Sequence, residues 1–193
     1  MKKMRIILFF SGTILLILCG CKNENNQAEY FPNKVGNNWE YRVFDSISNK
    51  SESLIVSIIG NKIINGVNSS VWLLSYTNQT DTFFVHQSRD TLIFNSNRTA
   101  KRIYIIPFSV NLVWKESYFS SSNSKVISIE DVKVDVGSFN GTYVIERSIK
   151  GNNYSLYEKI YFKPNVGIIK LYTKEYNLGP VQTKTWKLIR FNL

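Results

Sequence analysis

The amino-acid sequence predicts an all-β protein, a strongly curved antiparallel sheet in the form of a half-barrel or barrel with about 11 or 12 strands. Apolar and polar residues alternate with a period of two in most segments, as half-buried strands require. No window of eleven or more residues shows the spacing of an amphipathic helix, and the 193-residue chain contains only two alanines, Ala28 and Ala100. Turn residues recur at roughly 8- to 12-residue intervals, which is typical of sandwiches and barrels.

The first twenty residues have the layout of a secretory signal peptide. Three positive charges within the first five residues precede an uncharged stretch from Ile6 to Gly20, and the chain becomes polar after Cys21. A membrane-spanning helix needs roughly 20 apolar residues, whereas this stretch is shorter and is interrupted by Ser11-Gly12-Thr13. We therefore expect residues 1–20 to be removed.

The motif Leu18-Cys19-Gly20-Cys21 resembles the lipobox of bacterial lipoproteins. The resemblance implies cleavage after Gly20 and attachment of fatty acyl chains, such as palmitate, to Cys21. Cys19 fits less well, because Leu18 is too bulky for the position before the cleavage site. The resemblance therefore predicts a lipid-anchored protein of the bacterial cell envelope, with the outer membrane as its expected location.

Processing would leave a lipidated tether, residues 21–29, and a single β domain, residues 30–193. Three of the ten net positive charges leave with the signal peptide, so the mature chain carries +7. Nucleic acid is not expected as a partner, because the chain is exported and lacks a Lys/Arg cluster. With one acylated cysteine remaining, disulfides and cysteine-based metal sites are excluded.

The clearest predicted strand contains Trp39, Tyr41 and Val43, which alternate with Glu40 and Arg42. An Asn65-Gly66 turn is expected to join two strands as a hairpin. Further predicted strands, separated by turn residues, are 54–60, 71–76, 82–85, 91–94, 102–108, 112–119, 125–136, 142–150, 154–163, 168–176 and 181–193, with a loop at 120–124.

Two irregularities of the strand pattern are expected in the second half of the chain. The apolar residues change from odd to even numbers between Ile129 and Val132, so a bulge or turn is expected near Glu130-Asp131. Asn140-Gly141 is expected to precede the strand that follows.

Three short pieces resemble small lipoproteins of unknown function from Bacteroidetes-type bacteria. They are Tyr30-Phe31-Pro32 with Trp39-Glu40-Tyr41, the segment 130–139, and Lys159 to Lys170 with its Val166-Gly167 pair. Asp135-Val136 replaces the Pro-Ala usual in that family. The resemblance implies a curved antiparallel sheet or half-barrel, similar in shape to periplasmic lipoprotein carriers, and it brings no catalytic residues.

Residues suited to catalysis are few. His86 is the only histidine, so a histidine-based metal site or catalytic triad would have to be built around it. Carboxylates on predicted strands offer an acid–base pair for glycoside hydrolysis, although each is expected on the solvent face beside Lys or Arg. These carboxylates are Glu130, Asp131, Asp135, Glu146, Glu158 and Glu175.

The sequence leaves two functions open. In the first, the sheet is a non-catalytic binding or carrier module whose concave face holds an apolar ligand, a glycan or a partner protein. In the second, it is an envelope hydrolase that uses paired carboxylates. No cofactor or metal is expected, and the oligomeric state is not indicated. The inner face that would contact a ligand is predicted to include Trp39, Tyr41, Val43, Ile160 and Phe162.

Overall fold

The computed structural model describes residues 30–96, 102–115 and 122–193, and these ranges contain twelve strands of one antiparallel sheet. None of the described residues forms a helix long and apolar enough to cross a membrane. The signal peptide, Cys21, the tether and part of the expected 120–124 loop lie outside the described residues. The strands are β1 (Asn38–Asp45), β2 (Lys50–Ile64), β3 (Val67–Ser75), β4 (Thr80–Ser88), β5 (Thr91–Ser96), β6 (Arg102–Ile105), β7 (Val113–Trp114), β8 (Asn123–Val134), β9 (Gly137–Lys150), β10 (Tyr154–Lys163), β11 (Gly167–Asn177) and β12 (Gln182–Asn192).

The strand order is β6-β5-β4-β3-β2-β1-β12-β11-β10-β9-β8-β7. All neighbours are consecutive in the chain except β1 and β12, which pair with each other in the middle of the sheet. The Asn65-Gly66 turn between β2 and β3 is confirmed, and both residues have the positive φ angles, 50° and 79°, that a tight hairpin requires. The predicted all-β, curved antiparallel fold is therefore confirmed.

The sheet curls until its two edge strands, β6 and β7, approach each other. Twist of one hand accumulates over so many strands, and the sheet therefore bends into a nearly closed barrel. At the seam, the Trp114 indole N–H on β7 donates a hydrogen bond to the Ile103 carbonyl on β6 at 2.8 Å. Side chains rather than a continuous backbone ladder thus hold the edges together.

The expected bulge near Glu130-Asp131 is confirmed as a register shift between Glu130 and Val132. The prediction that Asn140-Gly141 precedes a strand is wrong, because β9 already begins at Gly137 and the turn lies before it. The one extra residue of this bulge is in β9, where Asn140 and Gly141 both stand opposite Asp131, so the Asn-Gly pair lies within the strand. Gly141, with φ of 65°, donates its backbone N–H to Asp131 Oδ1 at 3.1 Å.

Two phenylalanines from non-strand segments fill one end of the barrel. Phe31, which precedes β1, lies 5.2 Å from Phe162 and 5.3 Å from Trp72, ring centroid to ring centroid. Phe108, which follows β6, lies 5.1 Å from Phe162 on the same side. Because β10 and β3 stand on opposite halves of the sheet, the Phe31 ring bridges the interior and closes this end.

Candidate functional site

A cavity of about 280 Å³ lies inside the barrel above Phe31. Its walls are chiefly aromatic and aliphatic, and Asp81 and Arg102 are the charged residues among them. The half-exposed Tyr76, Asp81 and Arg102 stand at strand ends remote from Phe31, so they mark the open end of the cavity. The lining residues are Phe31, Trp39, Tyr41, Val56, Trp72, Leu74, Tyr76, Asp81, Phe83, Phe94, Arg102, Tyr104, Gly167, Ile168, Leu171 and Trp186.

The polar atoms of three wall residues are satisfied by the protein itself. Trp39 Nε1 donates to the Val166 carbonyl at 2.6 Å, and the Tyr41 hydroxyl donates to the Ile168 carbonyl at 2.7 Å. Trp72 Nε1 donates to Asn33 Oδ1 at 2.8 Å. These bonds fix the rings at the start of β11 and at the segment before β1, which leaves the apolar ring faces for the cavity.

The indole N–H of Trp186, also on the wall, is different. Trp186 Nε1 is buried and has no hydrogen-bond acceptor among the described residues. Its indole packs on Tyr41 and Tyr76, at ring distances of 5.9 and 6.4 Å. Since a buried N–H without a partner costs about 1–3 kcal/mol, an acceptor atom on a bound molecule would relieve that cost.

Two tyrosine hydroxyls in the cavity stay protonated over the physiological range. Burial raises the pKa of Tyr41 well above its ordinary value of 10. The pKa of Tyr76 is raised to about 12, first by burial and then by the charges of Asp81 and Glu52. The cavity therefore presents neutral hydroxyls, which suit an apolar guest better than phenolates would.

A buried ion cluster stands beside the cavity at the seam of the barrel. Glu158, on β10, pairs with Arg147 at 2.9 Å and with Arg102 at 3.0 Å, and the Glu158 and Arg147 side chains are each 1% exposed. Burial raises the pKa of Glu158, but the two guanidinium groups outweigh it and hold that pKa below its ordinary value. Arg147 also packs over the Tyr104 ring at 4.9 Å.

The expectation that Glu158 lies on the solvent face is wrong. Glu158 shares its parity with Ile160 and Phe162, and Arg147 shares its parity with Ile145 and Ile149. Side chains two residues apart point to the same face of a strand. The sequence therefore contained the signal for an inward-facing pair, in two charges at apolar positions of adjacent strands.

All five residues predicted for the inner face are buried in the interior. Trp39 and Tyr41 line the cavity, whereas Val43, Ile160 and Phe162 belong to the surrounding core and do not reach it. Sequence reasoning missed Trp72 and Trp186, although each occupies the apolar parity of its strand. What it lacked was the strand order, in which the pairing of β1 with β12 brings Trp186 to the wall that also holds Trp72 of β3.

The candidate catalytic residues are not assembled into a site. The Tyr157 hydroxyl donates to Glu146 Oε1 at 2.7 Å on the outer surface, and Asp135 pairs with Arg42 at 2.8 Å. Neither His86 nor any predicted carboxylate is among the cavity-lining residues. Within the described ranges, no three His, Cys, Asp or Glu side chains are grouped closely enough to hold a metal ion.

Comparison with known proteins supports the fold and does not extend to function. No family model matches the sequence, and no curated protein matches it. A protein classed as a lipoprotein from Parabacteroides distasonis is similar in structure, with a TM-score of 0.50, 13% identity, and coverage of 86% of this chain and 99% of that chain. A protein classed as exported, with a YmcC-like fold, from Bacteroides fragilis gives 0.53 and 12%, with coverage of 86% and 100%. Both neighbours come from Bacteroidetes.

Proposed function

We propose that the chain is a lipid-anchored protein of the bacterial cell envelope whose barrel binds the apolar part of a small molecule without transforming it. The observation that carries the proposal is the aromatic cavity, open at one end and closed by Phe31 at the other. Its volume of about 280 Å³ is just below the usual 300–1,000 Å³ of small-molecule sites. An acyl-like tail or a small ring system fits this space better than a whole lipid.

The hydrolase alternative has less support. A glycosidase needs a carboxylic acid with a raised pKa beside a second carboxylate. Among the described residues, Glu158 is the one sequence-predicted carboxylate with a resolved pKa shift, and that pKa is lowered by the two guanidinium groups beside it. Glycan and partner-protein ligands fit the cavity less well than an acyl-like ligand, because its wall offers few free hydrogen-bonding groups.

Ligand binding is tested by titrating residues 27–193 with a fluorescent fatty acid. We expect saturable binding at micromolar concentrations, and Leu74→Trp should abolish it because Leu74 lines the cavity. Leu73→Trp is the matched control, since neighbouring strand residues face opposite sides of the sheet. Binding that is absent, or that both variants weaken equally, would contradict the proposal.

Anchoring rests on the lipobox resemblance and on the lipoprotein class of one structural neighbour. Cys21→Ser should release the protein into the soluble fraction of the envelope, because each buried acyl methylene contributes about 0.8 kcal/mol of membrane affinity. Cys19→Ser, two residues away, should remain with the membrane. Membrane retention of the Cys21 variant would exclude this anchor.

A further inference from the structure

The outer face of β10 and β11 carries a regular pattern of lysines and tyrosines, on the side of the sheet that faces away from the cavity. The inward positions of these strands hold buried residues such as Ile160 and Leu171, so the alternate positions face outward. Three of the outward tyrosines stand opposite a lysine on the neighbouring strand, whereas Tyr176 stands opposite Ser155. The three pairs are Tyr157–Lys174, Lys159–Tyr172 and Tyr161–Lys170; together with Lys187 of β12 they are called the Lys/Tyr face.

The charge of this face is of one sign. Glu158 and Glu175 are the acidic residues of β10, β11 and β12, and both occupy inward positions. Among the described residues, no carboxylate lies within salt-bridge distance of the lysines of the face. Glu146 of β9 stands opposite Lys159, but its carboxylate accepts the Tyr157 hydroxyl.

One pair of lysines brings two like charges together on the face. Lys170 and Lys187 stand directly opposite each other on β11 and β12. Like charges in this arrangement destabilise a sheet. A face that concentrates positive charge at a cost in stability is suited to an anionic surface outside the molecule.

The tyrosine rings distinguish between two kinds of anionic surface. Lys159 Nζ and Lys170 Nζ lie 5.5 and 4.9 Å from the centroid of the Tyr161 ring. Because both ammonium groups hold cation–π positions on this ring, it is not free to stack on a sugar as acidic glycan binding would require. Lysine and tyrosine side chains at the level of lipid head groups are instead typical of membrane interfaces.

An apolar tip extends the Lys/Tyr face at the β11–β12 turn. Tyr176, Leu178 and Val181 are 42%, 72% and 47% exposed. Leu178 also has a φ of 51°, a left-handed conformation that disfavours branched, bulky side chains. The turn thus holds a large apolar residue in water and in an unfavourable backbone conformation, and insertion between lipid head groups would bury that side chain.

We propose that the Lys/Tyr face and the apolar tip form a docking surface for an anionic phospholipid bilayer. The lysines attract the head groups, and Leu178 and Val181 enter the interface. This contact is non-covalent and involves the outer face of the barrel, so it is independent of both the cavity and the acyl anchor.

The proposal is tested by cosedimentation of residues 27–193 with vesicles, which removes any contribution from Cys21. We expect binding to mixed phosphatidylglycerol and phosphatidylcholine vesicles, weak binding to phosphatidylcholine alone, and loss of binding in high salt. Lys170→Glu with Lys187→Glu should weaken binding by at least about fivefold per lysine. The matched control is Lys62→Glu with Lys133→Glu, which changes the net charge equally on exposed residues of β2 and β8.

A second variant separates docking from folding. Leu178→Asn removes the apolar side chain and places a residue that tolerates positive φ in the turn. Its thermal unfolding temperature should equal or exceed that of the parent, while its vesicle binding should fall several-fold. Equal vesicle binding by the face variant and the charge-matched control would overturn the proposal. Binding to polygalacturonate in preference to phosphatidylglycerol vesicles would overturn it in favour of an acidic glycan.

Discussion

At the scale of single residues, the cavity wall depends on backbone carbonyls near the start of β11. Trp39 is held by the Val166 carbonyl, and the next residue, Gly167, has a φ of 98°. A Cβ atom at Gly167 would lie 3.6 Å from Trp39 Nε1. The contact distance is ordinary, so the glycine is required by its backbone conformation rather than by lack of space.

Gly167→Ala should therefore destabilise the protein by roughly 1–2 kcal/mol, because L-residues other than glycine pay that cost in the left-handed region. The measurement is urea unfolding followed by tryptophan fluorescence. Gly60→Ala serves as control, since Gly60 has no positive φ and no atom within 4 Å of its added Cβ. Equal destabilisation by the two substitutions would contradict this account of Gly167.

At the scale of strands, the seam between β6 and the second half of the sheet is held by the Glu158 ion cluster. Arg102 of β6 and Arg147 of β9 both reach Glu158 of β10. Removal of the carboxylate would leave Arg147, 1% exposed, as an uncompensated buried charge. Such a loss typically costs about 3–5 kcal/mol.

Glu158→Gln should lower the free energy of unfolding by about that amount at pH 7. The pKa of Glu158 is below its ordinary value of 4.5 in the folded protein, so the parent gains stability above pH 4.5 and loses it as the pH falls through the folded pKa. The difference between parent and variant should shrink below pH 4.5 in thermal melts. Glu130→Gln, an exposed control, should show a small effect, and a Glu158→Gln difference that stays constant to pH 3 would refute the role of the charge.

Strands with strong local signals were predictable from sequence, and β10 has the predicted bounds of 154–163. The Asn140-Gly141 position was mispredicted because turn propensity does not distinguish a turn before a strand from a bulge within it, and here both residues stand opposite Asp131 alone. β7 is described only as Val113–Trp114, within the longer predicted strand at 112–119. Local pattern thus fixes the type of an element more reliably than its ends.

The parts of the site that escaped prediction depend on long-range contacts. Phe31 lies outside the strands, and no periodicity indicates that its ring enters the barrel. Phe108 shares the parity of Tyr104 and Ile106 in the predicted strand 102–108, but β6 ends at Ile105, and the Phe108 ring enters the barrel from the segment that follows. Those two rings fill one end of the barrel and leave the other end unfilled, and the cavity is the space that remains. The sequence predicts which face of each strand is apolar. The volume of the cavity inside the barrel depends instead on how all the inward side chains pack together.

At the scale of the whole molecule, the barrel has a closed end and an open end. The chain reaches the closed end through Tyr30 and Phe31, so the expected tether leaves from there, whereas Tyr76 and Arg102 mark the opening at the other end. Three of the four tryptophans, Trp39, Trp72 and Trp186, line the cavity. The intrinsic fluorescence of the protein therefore reports directly on occupation of the cavity.

The most direct test of the central claim is quenching of that fluorescence by a brominated fatty acid, since bromine quenches indoles that it contacts. Titration of residues 27–193 should quench most of the tryptophan emission with a saturable, one-to-one curve, and Leu74→Trp, which fills the cavity, should remove the saturable phase. Quenching that rises linearly without saturation, or that Leu74→Trp leaves unchanged, would show that the cavity does not bind an acyl-like ligand.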